Sequence, residues 1–146
     1  MKPITVTTLV ERPINEVYEH LAALGNHEAF TDHMLVDWTL SGPAAGVGAI
    51  ADVTSTLGGR KEPVRFEVIE TESPSRILER STAAKGRRIA TGEFRLAEEG
   101  PRRTRVTFTF TLVTAPRLER LFLPLMASKL RRVNQTSLDR LAEQLA

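Results

Sequence analysis

Polar and apolar residues alternate through most of this chain, and then the alternation stops. Residues 3–10 read Pro-Ile-Thr-Val-Thr-Thr-Leu-Val. They are rich in β-branched side chains and predict a strand with Ile4, Val6, Thr8 and Val10 on one face. Helical spacing follows, as Val17, Leu21 and Leu24 recur behind Pro13. A helix should open at the proline and end at Gly25-Asn26 in a left-handed cap. Residues 27–31 predict a short second helix ending near Phe30. A period of two then returns in six segments: 33–40, 47–57, 62–72, 76–83, 87–97 and 104–113. The first of these sets Met34, Val36, Trp38 and Leu40 on one face. The last alternates Val106, Phe108, Phe110 and Leu112 with Arg105, Thr107, Thr109 and Thr111. Gly58-Gly59, Ser73-Pro74-Ser75, Ala84-Lys85-Gly86 and Gly100-Pro101 lie between segments and mark hairpin turns.

The last thirty or so residues carry a helical stripe that includes Leu118, Leu121, Leu125, Leu130, Leu138 and Leu141. At about 1.5 Å per residue, such a helix is roughly 45 Å long. A domain of this size has a radius of gyration of only about 15 Å, so the helix must cross it and cover one face of the sheet. Pro124 interrupts the stripe. It removes a backbone donor and clashes with the carbonyl of Arg120, which predicts a kink or break. Residues 115–123 then form either a separate lid bearing Leu118, Leu121, Phe122 and Leu123, or a loop ahead of a helix that starts at Pro124.

Composition narrows the class. The chain has 146 residues, 41% hydrophobic and 26% charged, which suits one globular domain spanning 1–146. No apolar run reaches the roughly 18 residues of a membrane span, and the N-terminus lacks the apolar stretch of a signal peptide. A cytoplasmic location is the expectation. Without cysteine, no thiolate nucleophile, disulfide or cysteine-based metal site can form. The net charge is only +2, because 20 basic residues are interspersed with 18 acidic ones. No sustained basic face is present, so a nucleic-acid partner is not expected. His20, His27 and His33 lack the i, i+4 spacing of helical ligand pairs, so no metal is expected. His27 follows the first helix and should bond backbone. No Ser/His/Asp set, phosphate loop or nucleotide fingerprint is present, and no cofactor is expected. Gly46-Val47-Gly48 precedes a strand rather than a helix, so it is not a dinucleotide site.

The order of elements is strand, two short helices, six hairpin-linked strands and one long helix. It resembles the START-like helix-grip superfamily, also called SRPBCC, and in particular its polyketide cyclase/dehydrase and lipid-transport branch. Four segments carry the resemblance: Glu11-Arg12-Pro13-Ile14-Asn15-Glu16-Val17-Tyr18 at the entry to the first helix, Asn26-His27 followed by Phe30, Gly46-Val47-Gly48, and Val68 to Leu78 with Ser73-Pro74 at its turn. The resemblance implies an α+β helix-grip fold, with a seven-stranded curved antiparallel sheet wrapped around a long C-terminal helix. It also implies an apolar cavity between them, where relatives bind lipids, quinones or polyketides and a minority catalyse cyclisation or dehydration. The family has no shared catalytic triad to transfer.

Strand parity extends this reading. If Phe108 and Phe110 face the helix, then Arg88, Ala90, Gly92, Phe94 and Leu96 do too, as do Ala49, Ala51, Val53 and Ser55. Residues this small leave room beneath a helix, unless Phe122, Met126 and Leu130 fill it. The strand 76–83 aims a charge at the covered face under either parity: Glu79 with Ile77 and Ser81, or Arg80 with Leu78 and Thr82. An inward Arg80, with Arg88, would anchor an anionic or carbonyl head group. A buried Arg80 would need a ligand, a water network or an acid such as Glu67 or Glu79. Acid–base candidates are Glu67, Glu79, Arg80 and Tyr18, and Asp52 if its strand has the other parity.

The expected ligand-lining set is Trp38, Ala51, Val53, Phe66, Arg80, Arg88, Ala90, Gly92, Phe108, Phe110, Phe122 and Met126. The functional expectation is a binder of a hydrophobic small molecule. The alternatives are a polyketide cyclase/dehydrase acting in the same cavity and a protein-interaction module. The oligomeric state, monomer or homodimer, is left open.

Overall fold

The alternating segments pair in the order in which they occur. The computed structural model describes residues 1–146 and contains a seven-stranded antiparallel sheet, curved as the resemblance implies. Its strands are β1 (Ile4–Val10), β2 (Leu35–Ser41), β3 (Ile50–Ser55), β4 (Glu62–Glu72), β5 (Arg76–Ala83), β6 (Arg88–Gly100) and β7 (Arg103–Thr114). Successive hairpins link β2 to β7, and β1 joins the far side, giving the order β1-β7-β6-β5-β4-β3-β2. Two short helices, α1 (Ile14–Ala22) and α2 (Glu28–Thr31), lie between β1 and β2. Two more follow β7: α3 (Arg117–Phe122) and α4 (Ala127–Gln144).

The core lies between the concave face and α4. Val6, Val10, Leu96 and Val106 from the sheet meet Leu138 and Leu141 from α4, all buried. Polar contacts fix the helix over β1 and α2. Gln135 donates to the carbonyl of Thr7 at 3.0 Å, Arg12 to that of Leu145 at 2.7 Å, and Gln144 to that of Ala29 at 2.9 Å.

Three expectations need correction. The break expected at Pro124 is present, with a separate short helix before it, but the long helix is shorter than the roughly 45 Å expected. Pro124 sits at the start of a 3-10 turn, Leu123–Met126, and the long helix begins only at Ala127. Its 18 residues span about 27 Å, so it covers only part of the sheet. The end of α1 is not a left-handed glycine cap. Ala23 leaves the helix in an extended conformation, and the Asn26 and His27 side chains bond the carbonyls of His20 and Leu21 at 3.0 and 2.7 Å. The backbone-bonding role expected for His27 is present.

Finally, β2 does not keep one parity. Asp37 adopts a positive φ of 56° where the pairing with β3 slips by one residue. Leu35 opposite Ser55 therefore faces inward and is buried, while Val36 opposite Thr54 faces outward. A bulge of this kind adds one residue to one strand and re-aims the side chains beyond it.

Candidate functional site: an open aromatic groove around a buried carboxyl

Register assigns each strand residue to a face. Val53 pairs with Val64, Val64 with Ala83, and Ala83 with Arg88. Ala51, Phe66, Ser81, Ala90 and Leu112 form the next row across the sheet. Val68, Glu79, Gly92 and Phe110 form the third. Of the expected lining residues, Ala51, Val53, Phe66, Arg88, Ala90, Gly92, Phe108 and Phe110 all share the concave face. Trp38 joins them, stacked on Phe66 with ring centroids 6.5 Å apart and planes 9° apart.

Arg80 does not. It pairs across the sheet with Glu67 and Thr91 on the convex face, where it is exposed and reaches the Glu67 carboxylate at 3.4 Å. The charge that β5 aims inward is Glu79. Asp52 also lies outside, in a two-point ion pair with Arg65 at 2.8 and 3.0 Å. Arg88 faces inward at the rim, where Glu62 and Glu119 (3.2 Å) hold its guanidinium. Met126 is half-buried in the turn before α4. Phe122 is 59% exposed and does not line the groove in this conformation.

Because α4 starts late, it leaves part of the concave face uncovered. Val64, Phe66, Ser81, Phe108, Phe110 and Leu112 point inward yet retain partial solvent exposure. This part of the concave face is therefore open to solvent rather than sealed. Gly92 shapes its floor. A Cβ at that position would lie 2.9 Å from the ring of Phe108, so only glycine lets that ring lie across β6. Phe108 in turn packs on Phe94 with centroids 4.8 Å apart. A shallow depression of about 450 Å³ occupies the opposite, convex face, lined by Asp37, Thr39, Asp52, Thr54, Arg65 and Lys85 among others. It is open, and most of its lining side chains are polar or charged.

The polar element of the groove is a pair that the sequence reading did not join. Glu79 is 6% exposed; its carboxyl takes part in none of the protein's side-chain hydrogen bonds and keeps a trace of solvent contact. The one basic atom within 4.0 Å is Nδ1 of His27, at 4.0 Å, which is beyond hydrogen-bond reach. Burial pushes the Glu79 carboxyl up to about 8, so it is mostly protonated at neutral pH. His27 is also buried. Desolvation dominates and lowers its pKa to about 4, although the bond to Leu21 works the other way. The ring is therefore neutral, and its Nε2 donates to the Leu21 carbonyl at 2.7 Å. This fixes the tautomer and leaves Nδ1 as an acceptor turned toward Glu79. Phe30, Trp38 and Phe94 meet the imidazole edge-on at centroid distances of 5.1, 6.4 and 5.6 Å. The groove thus holds a neutral acid and a neutral base side by side within an aromatic wall. No cluster of three or more metal-ligating side chains is present, and no helix is long and apolar enough to cross a membrane.

A curved antiparallel sheet gripping a C-terminal helix defines a helix-grip protein. The chain belongs to the family described as polyketide cyclase/dehydrase and lipid transport, whose family model matches residues 1–146. Solved structures support the fold. TTHA0849 from Thermus thermophilus superposes with a TM-score of 0.74 at 18% identity, covering 99% of this chain and 97% of that one. The jhp0584 protein of Helicobacter pylori gives 0.77 at 14% identity, covering 99% and 88%. DynU16, a protein in the dynemicin biosynthetic locus, gives 0.67 at 19% identity, covering 99% of this chain and 47% of that one. No curated protein matches the sequence significantly.

Proposed function

We propose that the protein binds a hydrophobic, ring-containing small molecule along the concave groove, with Glu79 and His27 orienting one oxygen of that ligand. The observation that carries this reading is the buried, unpartnered Glu79 carboxyl within an aromatic wall. A buried polar group is normally hydrogen-bonded. One left without a protein partner beside an open groove is placed to bond whatever enters. Protonated Glu79 donates to a carbonyl or phenol oxygen of the ligand, and Nδ1 of His27 accepts from a hydroxyl. Trp38, Phe66, Phe94, Phe108 and Phe110 supply apolar area worth about 25 cal/mol per Å² removed from water. This division between an apolar body and a few polar contacts is typical of small-molecule sites.

A second reading is supported by the same pair. An acid with a pKa near 8 beside a neutral imidazole is matched to proton transfer near neutral pH. That is the chemistry a cyclase or dehydrase acting in this groove would require, with the groove walls folding a flexible chain into a reactive shape.

Trp38 emission, titrated with a fatty acid, a quinone, a flavonoid and an aromatic polyketide, tests the first reading. Saturable change is expected with one ring-containing class, and Glu79→Ala should weaken it by about tenfold, the value of one hydrogen bond to a buried group. Glu79→Gln keeps a donor but carries no titratable proton. It should retain binding, and it should abolish turnover if the second reading holds. A flat response together with no uptake of an apolar dye would refute both readings.

A further inference from the structure

The segment between β7 and the body of α4 turns its large apolar side chains outward. Leu118, Leu121, Phe122 and Leu125 are 72%, 70%, 59% and 80% exposed. They follow one another through α3 and the 3-10 turn after it, so they form one ridge. A contiguous patch of this kind marks an interaction surface. The charges around it indicate the partner. Residues 117–132 carry Arg117, Arg120, Lys129, Arg131 and Arg132 but a single acid, Glu119. That is a net +4 in a chain whose total is +2. None of these five cations has a carboxylate within 4.0 Å, whereas eight arginines elsewhere in the molecule do. The acid is itself engaged, by Arg88 at 3.2 Å.

We propose that this ridge docks on the surface of an anionic phospholipid bilayer. The four apolar side chains enter the boundary between headgroups and acyl chains, and the basic residues lie over lipid phosphates. Charge argues against a second copy of the chain as the occupant, since self-association would bring two +4 patches together. The ridge is tied to the groove rim through the Arg88–Glu119 pair, so docking would set the rim against the bilayer. Exchange of a ligand with the membrane at that rim rests on the binding reading above, whereas docking itself does not.

Co-sedimentation with vesicles tests the proposal. Binding is expected to vesicles of phosphatidylcholine with roughly one-third phosphatidylglycerol, at least about tenfold tighter than to phosphatidylcholine alone. It should weaken when salt is raised from about 0.1 M toward 1 M. The double variants Leu121→Asp/Phe122→Asp and Arg131→Glu/Arg132→Glu should each lose about tenfold or more. These positions are exposed, so far-UV circular dichroism should be unchanged. Trp38 titrations in free solution should not respond to the arginine changes, so failure of docking and failure of ligand binding are distinguishable. The proposal is overturned by absence of binding to the anionic vesicles, or by equal binding of wild type and variants. It is equally overturned by a dimer that the Leu121→Asp/Phe122→Asp change dissolves, or by binding to polyglutamate without binding to vesicles.

Discussion

The two halves of the concave face are built from the same alternating strands and end in different states. Under α4, Val6, Val10 and Val106 are at most 4% exposed and pack with Leu138 and Leu141. Beyond the start of α4, Val64, Phe66, Phe110 and Leu112 point the same way and stay partly wet. Alternation decides which way a side chain points, but what covers it decides whether it is buried. The boundary between the halves traces to the break at Pro124, which delays the long helix to Ala127. The covered half supplies stability and the uncovered half supplies room.

The sharpest test of that contrast compares truncations across the boundary. Leu141→Ala should cost about 3 kcal/mol, as expected for a buried leucine that leaves a cavity. Phe110→Ala should cost roughly half as much, because a half-exposed ring gives up less area from water. Urea unfolding midpoints would read both. Equal losses would mean that the second half is packed shut.

The next effect concerns pH. The folded pKa of Glu79, about 8, lies above its ordinary value of 4.5, so the folded state holds a proton that the unfolded state releases. Its contribution to stability is complete below pH 4.5 and is lost as pH rises through 8. His27 is opposite in sign. With a folded value near 4 against 6.5 unfolded, its contribution is complete above pH 6.5 and is lost as pH falls toward 4. The two slopes offset each other between about 4.5 and 6.5. Wild type should then lose about 2 kcal/mol between pH 6.5 and 8, at about 1.4 kcal/mol per unit. Glu79→Gln should remove that loss. Parallel curves for the two proteins would show that Glu79 is not held neutral.

The smallest effect lies one residue further along β5. Arg80 and Glu67 form an exposed pair, so Arg80→Ala should cost less than about 0.5 kcal/mol and leave ligand affinity unchanged. A fall in affinity would place the outer face of β5 in the site and undo the assigned facing.

These neighbours also mark how far the sequence was legible. The limits of β4 and β5 follow directly from their alternation and turns, and the inward row Arg88, Ala90, Gly92, Phe94 follows once Phe108 is placed. The choice between Glu79 and Arg80 did not follow. The segment from Ile77 to Thr82 offers one charge and one large apolar residue on each parity, and only Arg76, at the start of the strand on the parity of Arg80, leans toward Glu79 inward. Pairing across the sheet settles the choice, because Glu79 falls opposite Gly92 in the inward row. The partnership of His27 with Glu79 was further out of reach. The two lie 52 positions apart and meet only after α1 and four strands are in place. The one available signal was an inward acid in need of a partner near a histidine that follows a helix. Asp37 gave less warning still, since nothing in Val36-Asp37-Trp38 announces a left-handed residue.

The pairing order also bears on how the chain closes during synthesis. Strands β2 to β7 meet neighbours joined to them by short turns, so each pairing closes a small loop. The first strand waits much longer. Ile4 lies opposite Phe110, and the carbonyl of Thr7 receives its bond from Gln135. Closing loops of that length carries a larger entropic cost and makes for slow steps. During synthesis β2 to β6 can therefore pair before β7 and α4 are made, and the hydrophobic face of β1 stays without its cover until those two elements have emerged.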